Sequence, residues 1–193
     1  MKRALSVLGI ILGVMVVLFL AGCEEAGAGG GAEPTPTPTP LSGISWDFED
    51  GTTQGWQGNG GATVEASTEQ AAGGTTYSLK ITTGDAGWKT AWYYDIENYI
   101  QADQSYHYAV WVYQETGSDQ QFTLTLKSSD GSNEFYNSVF YQQTVPSGAW
   151  TLLEADFSLE SATKGQPTDL YIESVTPSIT FYVDEIDISP VTQ

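Results

Sequence analysis

Positive charge, sulfur and helical periodicity are all scarce in this sequence. It holds six Lys and Arg against 24 Asp and Glu, with one His and one Cys. Two of the cations, Lys2 and Arg3, stand at the very start. The rest of the chain has Lys80, Lys89, Lys127 and Lys164, and no arginine. A phosphate backbone needs basic patches to neutralise it, so nucleic-acid binding is excluded as a function class. Anionic lipids and acidic polymers are repelled for the same reason, whereas a neutral partner carries no such cost. The lone Cys23 excludes an intrachain disulfide and a cysteine metal cluster. The lone His107 lies in an apolar stretch expected to be a strand covered on both sides, so it reads as a packed residue. With no spare histidine and no nucleophile elbow, a Ser-His-Asp hydrolase is disfavoured. No window of about 12 residues carries a helical hydrophobic period.

Lys2 and Arg3 precede "ALSVLGIILGVMVVLFLA", an apolar run of ~18 residues that is long enough to raise the question of a retained membrane helix. The residues at its end point elsewhere. "LAGC", Leu20 to Cys23, resembles the lipobox of bacterial lipoproteins, which implies cleavage before Cys23 and acylation of its thiol. Residues 1–22 are therefore read as a lipoprotein signal peptide. Residues 23–42, Gly-rich and then "PTPTPTP", are read as a linker: glycine gives slack and alternating proline favours an extended spacer. Residues 43–193 are the folded domain, about 150 residues, enough for a sizeable core. The expected location is secreted and extracytoplasmic, at a membrane or cell surface, held only through lipidated Cys23.

The domain reads as all-β. Candidate strands lie at 45–49, 63–68, 77–82, 90–96, 105–114, 121–129, 135–145, 150–159, 169–174 and 179–189. Between them stand turn sequences such as "EDGTTQG", "GNGG", "ETGSD" and "SDGSN". Strands joined by turns rather than helices imply antiparallel pairing in a sandwich or jelly roll. Phe122, Leu124 and Leu126 alternate with Thr123, Thr125 and Lys127, one dry face and one polar. "DLYIES" is odder: Leu170 and Ile172 alternate with Tyr171 and Glu173, placing a phenol and a carboxylate side by side on the wet face. The sequence is also rich in aromatics, with six Trp, eleven Tyr and seven Phe.

"FEDGTTQGW", "STEQAAGGTTYSLKI", "GWKTAW", "YHYAVWVYQETGSDQQFTLTLK", "TVPSGAWTLLEADF" and "LYIES…FYVDEIDIS" together resemble the family 22 carbohydrate-binding modules of xylanases, with the related family 4 and 9 group behind them. The resemblance spans Asp47 to Ser189 and rests on order and spacing rather than on one motif. It implies a galactose-binding-like β-sandwich jelly roll, no catalysis, and a cleft for β-1,4-xylan or mixed-linkage β-glucan. A monomer is expected.

The resemblance also assigns roles. Tyr171 and Glu173 match a cleft Tyr-x-Glu pair, and Trp88 matches the family's main stacking tryptophan. An aromatic ring covers the C–H face of a sugar, while a carboxylate accepts from its hydroxyls. Trp88 could instead fold onto the core, in which case Trp92 is the better stacking candidate. Asn59 stands where the family often has an arginine, and Ser128 where it has another cleft tyrosine. Tyr136 or Tyr141 could replace that missing ring. A structural Ca2+ is implied near the first and last strands, with Glu49 and Asp184 at the acidic positions and the loop from Gln70 to Ser78 adding carbonyls. The alternatives are a small glycosidase and a structural surface domain with a decayed cleft. Glycoside hydrolysis needs a second carboxyl facing Glu173, and none is evident; Glu97 and Glu115 lie by strand ends or turns.

Overall fold

Eleven strands are cut by the turn sequences. The structure, a computed structural model, describes residues 41–192; the expected signal, Cys23 and the linker up to residue 40 lie outside the described residues. The strands are β1 Ile44–Trp46, β2 Gln57–Gly58, β3 Thr63–Ser67, β4 Ser78–Thr82, β5 Ala91–Tyr94, β6 Ser105–Gln114, β7 Gln120–Ser129, β8 Glu134–Val145, β9 Thr151–Ser158, β10 Gln166–Ser174 and β11 Thr180–Pro190. One turn of 3-10 helix, Ile96–Asn98, and one α-turn, α1 Ser161–Lys164, are the only helical pieces among the described residues.

The strands form two antiparallel sheets, making a β-sandwich jelly roll. One runs β3-β4-β11-β6-β9, with β1 also paired to β11; the other runs β2-β5-β10-β7-β8. Their inner faces meet in one core. Leu79, Ile81, Val110, Val112, Phe181, Val183 and Ile188 come from the first sheet, and Phe122, Leu124, Leu126, Leu170 and Ile172 from the second. Each such side chain removed from water stabilises by about 1.5–3 kcal/mol. Period-two alternation puts these residues on the same side of their strands, and on β11 a register shift between Asp184 and Asp187 brings Ile188 to the side of Phe181 and Val183.

Several expectations shift for local reasons. The first strand ends at Trp46 and the fifth at Tyr94, because Phe48 (φ 58) and Asp95 (φ 61) are left-handed and turn the chain out of the ladder. β2 adds to the expected strands: its "QG" is embedded in a turn sequence, and a Cβ at Gly58 would stand 2.0 Å from the Ala62 carbonyl oxygen. β6 is central in its sheet but, up to Val112, covered on one face only. Tyr106, Tyr108, Val110 and Val112 are buried, whereas His107, Ala109 and Trp111 face partly outward. His107 is therefore not a packed core residue. Its Nδ1 lies 2.7 Å from Asp156 Oδ1 and its Nε2 3.5 Å from Glu154 Oε2, and the Asp156 hydrogen bond raises its pKa.

Candidate functional site

Register builds a row of side chains across the outer face of the five-stranded sheet. Tyr171 on β10 pairs with Trp92 on β5 and Thr125 on β7, and Thr125 pairs with Ser138 on β8. The next row is Tyr94, Asp169, Lys127 and Tyr136. Glu173 stands beside Thr123 on the other side of Tyr171. Of these side chains, Thr123, Thr125, Tyr136, Ser138, Tyr171 and Glu173 line a groove of about 780 Å3.

The loop that carries Trp88 lines it as well. The Gly84 N–H donates to the Lys89 carbonyl at 2.8 Å, and Lys89 pairs with Asp85 at 2.6 Å, so the loop closes on itself. A Cβ at Gly87 would stand 1.8 Å from the Ser174 carbonyl oxygen. Only glycine lets the loop press this closely on the end of β10, beside Glu173. The indole of Trp88 is 57% exposed and lines the groove. It does not fold onto the core.

Tyr171 is less wet than alternation alone suggests. It is 8% exposed, with Trp92 stacked on it at 6.0 Å and 27° and Tyr136 tilted against it at 6.4 Å. Burial pushes its hydroxyl up to about 12. The ring is thus a floor of the groove rather than a free-standing platform. Trp92 does not line the groove; it braces Tyr171 and Tyr94 (5.9 Å) from the side. Asn59 does line it, held by its backbone N–H to the Thr90 carbonyl at 2.8 Å.

Glu173 is the only acid lining the groove among the described residues. Its Oε2 accepts from the Thr125 hydroxyl at 2.7 Å. Burial raises its pKa, and the Thr125 hydrogen bond partly offsets this. Lys127, on β7 of the same sheet, is committed to Glu134 (2.8 Å) and Asp169 (3.5 Å) rather than to Glu173.

Two groove residues come from strand irregularity. The β7–β8 register shifts between Phe122 and Leu124, and Gln142 is left-handed at φ 51. This bulge carries Tyr141 and Gln142 into the groove, with the Gln142 N–H donating to the Thr123 hydroxyl at 3.1 Å. Its one sequence trace is Val139 followed by Phe140, two successive apolar residues, both buried. Tyr136 and Tyr141 are 63% and 68% exposed, and both line the groove. Ser128 is not a lost cleft ring at all. It is fully buried on the core-facing side of β7 and accepts from Asn137 Nδ2 at 3.1 Å.

The two acids expected at a metal converge on one loop. Asp184 is fully buried; its Oδ2 accepts from the Ala72 N–H (2.9 Å) and the Thr75 hydroxyl (2.8 Å), and its Oδ1 from the Glu185 N–H (2.8 Å). Burial raises its pKa, and no cation among the described residues opposes this. Glu49 Oε1 accepts from the N–H groups of Thr76 (2.8 Å) and Tyr77 (2.7 Å). A buried carboxylate without a cation and a second carboxylate on the same loop are oxygen donors of the kind Ca2+ takes. Among the described residues no group of three His, Cys, Asp or Glu is placed to hold a metal ion, so any further ligands are carbonyls or waters.

Comparison with known proteins bears on the domain as a whole. The family described as a carbohydrate binding domain matches residues 44–178. The chain belongs to this family. Endo-1,4-beta-xylanase A of Thermotoga maritima is 33% identical over 148 residues, 75% of this chain and 14% of the enzyme. Exoglucanase XynX of Acetivibrio thermocellus is 30% identical over 151 residues, 75% of this chain and 13% of the enzyme. The domain thus spans about one seventh of the relatives it matches. Among solved structures, the CBM22-1 xylan-binding domain from Paenibacillus barcinonensis Xyn10C superposes with a TM-score of 0.71 at 26% identity, covering 81% of this chain and 99% of that one. The fold of this carbohydrate binding domain, two antiparallel sheets with a groove on one outer face, is the one the sequence resemblance implied.

Proposed function

We propose that this domain holds a neutral β-1,4-linked polysaccharide in the groove, xylan before mixed-linkage β-glucan, and does not cleave it. The observation that carries this reading is the composition of the groove: exposed Trp88, Tyr136 and Tyr141 around a half-buried Glu173. A pyranose presents apolar C–H faces and a belt of hydroxyls. The rings cover the faces by dispersion and burial. Glu173, Asn59 and Gln142 meet the hydroxyls, the carboxylate with charge-assisted bonds. The likeness to a xylan-binding domain supports xylan as the first choice. Hydrolysis normally needs two carboxyls about 5–5.5 Å or about 6.5–9.5 Å apart. Glu173 standing as the one groove acid among the described residues argues for binding alone.

Three further parts complete the proposal. Asp184 and Glu49 hold a structural Ca2+ through loop 70–78; addition of Ca2+ after chelation raises the melting temperature. Cys23 carries the lipid that fixes the protein at an extracytoplasmic surface; Cys23→Ser abolishes labelling by a radioactive fatty acid. The domain acts as a monomer. The central test is affinity electrophoresis. Soluble xylan retards the protein and releases no reducing ends; equal mobility with and without every β-glycan tried, or steady release of reducing ends lost in Glu173→Gln, overturns the reading.

A further inference from the structure

The four lysines of the domain are not equivalent. Lys80 pairs with Glu69 (2.7 Å) and Glu65 (3.7 Å), Lys89 with Asp85 (2.6 Å), and Lys127 with Glu134 (2.8 Å) and Asp169 (3.5 Å). Lys164 has no carboxylate partner among the described residues. Its Nζ rests 5.1 Å from the centre of the Phe135 ring. In so acidic a chain, a cation left over is a distinctive surface feature.

Lys164 lines a second hollow, of about 360 Å3, with Ser158, Glu160, Thr163 and Phe157. This hollow and the groove share Ser138. It therefore lies where β8, the last strand of the groove sheet, meets β9 and α1. The backbone of Lys164 is held from both ends of α1. The Ser161 N–H donates to Asp103 Oδ1 at 2.9 Å, and the Ser161 hydroxyl bonds Asp103 Oδ2. The next residue, Gly165, has φ +72, and a Cβ there would stand 1.9 Å from the Ser129 carbonyl oxygen. The turn is thus pinned against the end of β7, and Lys164 with it.

We infer that this hollow takes an anionic branch, a uronic acid, borne sparsely on a neutral polysaccharide backbone that lies in the groove; a polymer charged throughout is still repelled by so acidic a domain. The inference rests on the reading of the groove as a polysaccharide site. Lys164 faces the carboxylate, the hydroxyls of Ser138, Ser158 and Thr163 face the sugar hydroxyls, and Phe157 supplies an apolar wall. Lys164 is the cation in the domain that can do this without first breaking an ion pair. Glu160, the one acid of the hollow, opposes a second anion. The balance of Lys164 and Glu160 therefore sets how strongly a charged branch is preferred.

The test uses the whole chain in detergent, titrated by calorimetry at low salt. Three probes are compared: an unbranched xylo-oligosaccharide, glucuronoxylan, and the same glucuronoxylan with its carboxyls reduced to primary alcohols. The charged polymer is expected to bind about two- to fivefold tighter than its reduced form, as for a partly exposed ion pair, and the gap closes as salt rises. Lys164→Met removes the gap and leaves the affinity for the unbranched probe unchanged, whereas Glu160→Gln widens it. Equal affinity for the charged and reduced polymers, or a gap that survives Lys164→Met, overturns the inference and leaves the groove reading standing. Failure of all three probes to bind overturns both.

Discussion

The two outer faces of the sandwich use the same residue types to opposite ends. On the six-stranded sheet, Tyr113 and Tyr182 lie 6.1 Å apart and Trp150 5.4 Å from Tyr113, an aromatic cluster ringed by acids. The phenols of that cluster are engaged within the protein. The Tyr182 hydroxyl donates to Glu69 Oε2 (2.7 Å), that of Tyr113 to Glu115, and Glu69 in turn pairs with Lys80. On the five-stranded sheet the groove acid has no cation and the rings of Trp88, Tyr136 and Tyr141 stand in water. Aromatic and acidic content does not by itself mark a binding face. Residual capacity does: exposed ring area, and a carboxylate with lone pairs to spare.

The contrast can be broken by substitution, and the largest effect belongs to the structural side. Asp184→Ala strands the buried Ala72 N–H and leaves the Thr75 hydroxyl only the Ala72 carbonyl, and is expected to lower stability in chelator by about 3 kcal/mol, measured by denaturant unfolding. Glycan affinity of the protein that remains folded is unchanged. Next, Trp88→Ala is expected to weaken xylan binding by about 2 kcal/mol, roughly thirtyfold, with an unaltered melting temperature because the ring is exposed. Trp111→Ala on the opposite sheet leaves affinity untouched; equal losses from both substitutions erase the distinction between the faces.

A smaller effect sharpens the contrast by pH. Burial raises the pKa of Glu173, so its charge is lost earlier on acidification than for a free carboxylate. Affinity is expected to fall as the pH drops through that raised pKa, by about 1–1.5 kcal/mol, since a neutral acceptor forms weaker bonds. Glu173→Gln binds weakly at neutral pH and flattens the profile; an unchanged profile in the variant removes Glu173 from the site. The smallest effect lies across the molecule. The pKa of His107 is raised by its hydrogen bond to Asp156, so the pair's contribution is full below the unfolded value of about 6.5. It is lost as pH rises through the raised folded value. As a surface pair it is worth less than about 1 kcal/mol, read as the pH dependence of stability that His107→Gln removes.

Much of the fold is legible in the sequence because turns carry their own chemistry. Strand β6 has its expected ends, set by "QADQ" before it and "ETGSD" after it, and β7 and β8 lie within one residue of expectation at each end. Less legible is anything decided by register or by a layer's absence. Alternation puts Tyr171 on the outward face but cannot show Trp92 and Tyr136 closing over it, because those neighbours arrive from β5 and β8 through pairing. Likeness to relatives sets Ser128 in the cleft, whereas its position one residue beyond Lys127 turns it inward. The apolar neighbours of His107 in the chain suggest a covered strand, but the strands beside it bring Asp156, Glu154 and Asp187 to its face, and that face stays partly open. The bulge at Gln142 needs a left-handed residue that no glycine or asparagine announces.

The face that binds is best tested by the indole N–H resonances of the six tryptophans, Trp46, Trp56, Trp88, Trp92, Trp111 and Trp150, followed by NMR as xylohexaose is added. Trp88 is expected to shift most and Trp92, behind Tyr171, to come second, with Trp111 and Trp150 still. Shifts confined to Trp111 and Trp150, or a spectrum that does not move with any β-glycan, would contradict an aromatic groove on the five-stranded sheet as the polysaccharide site.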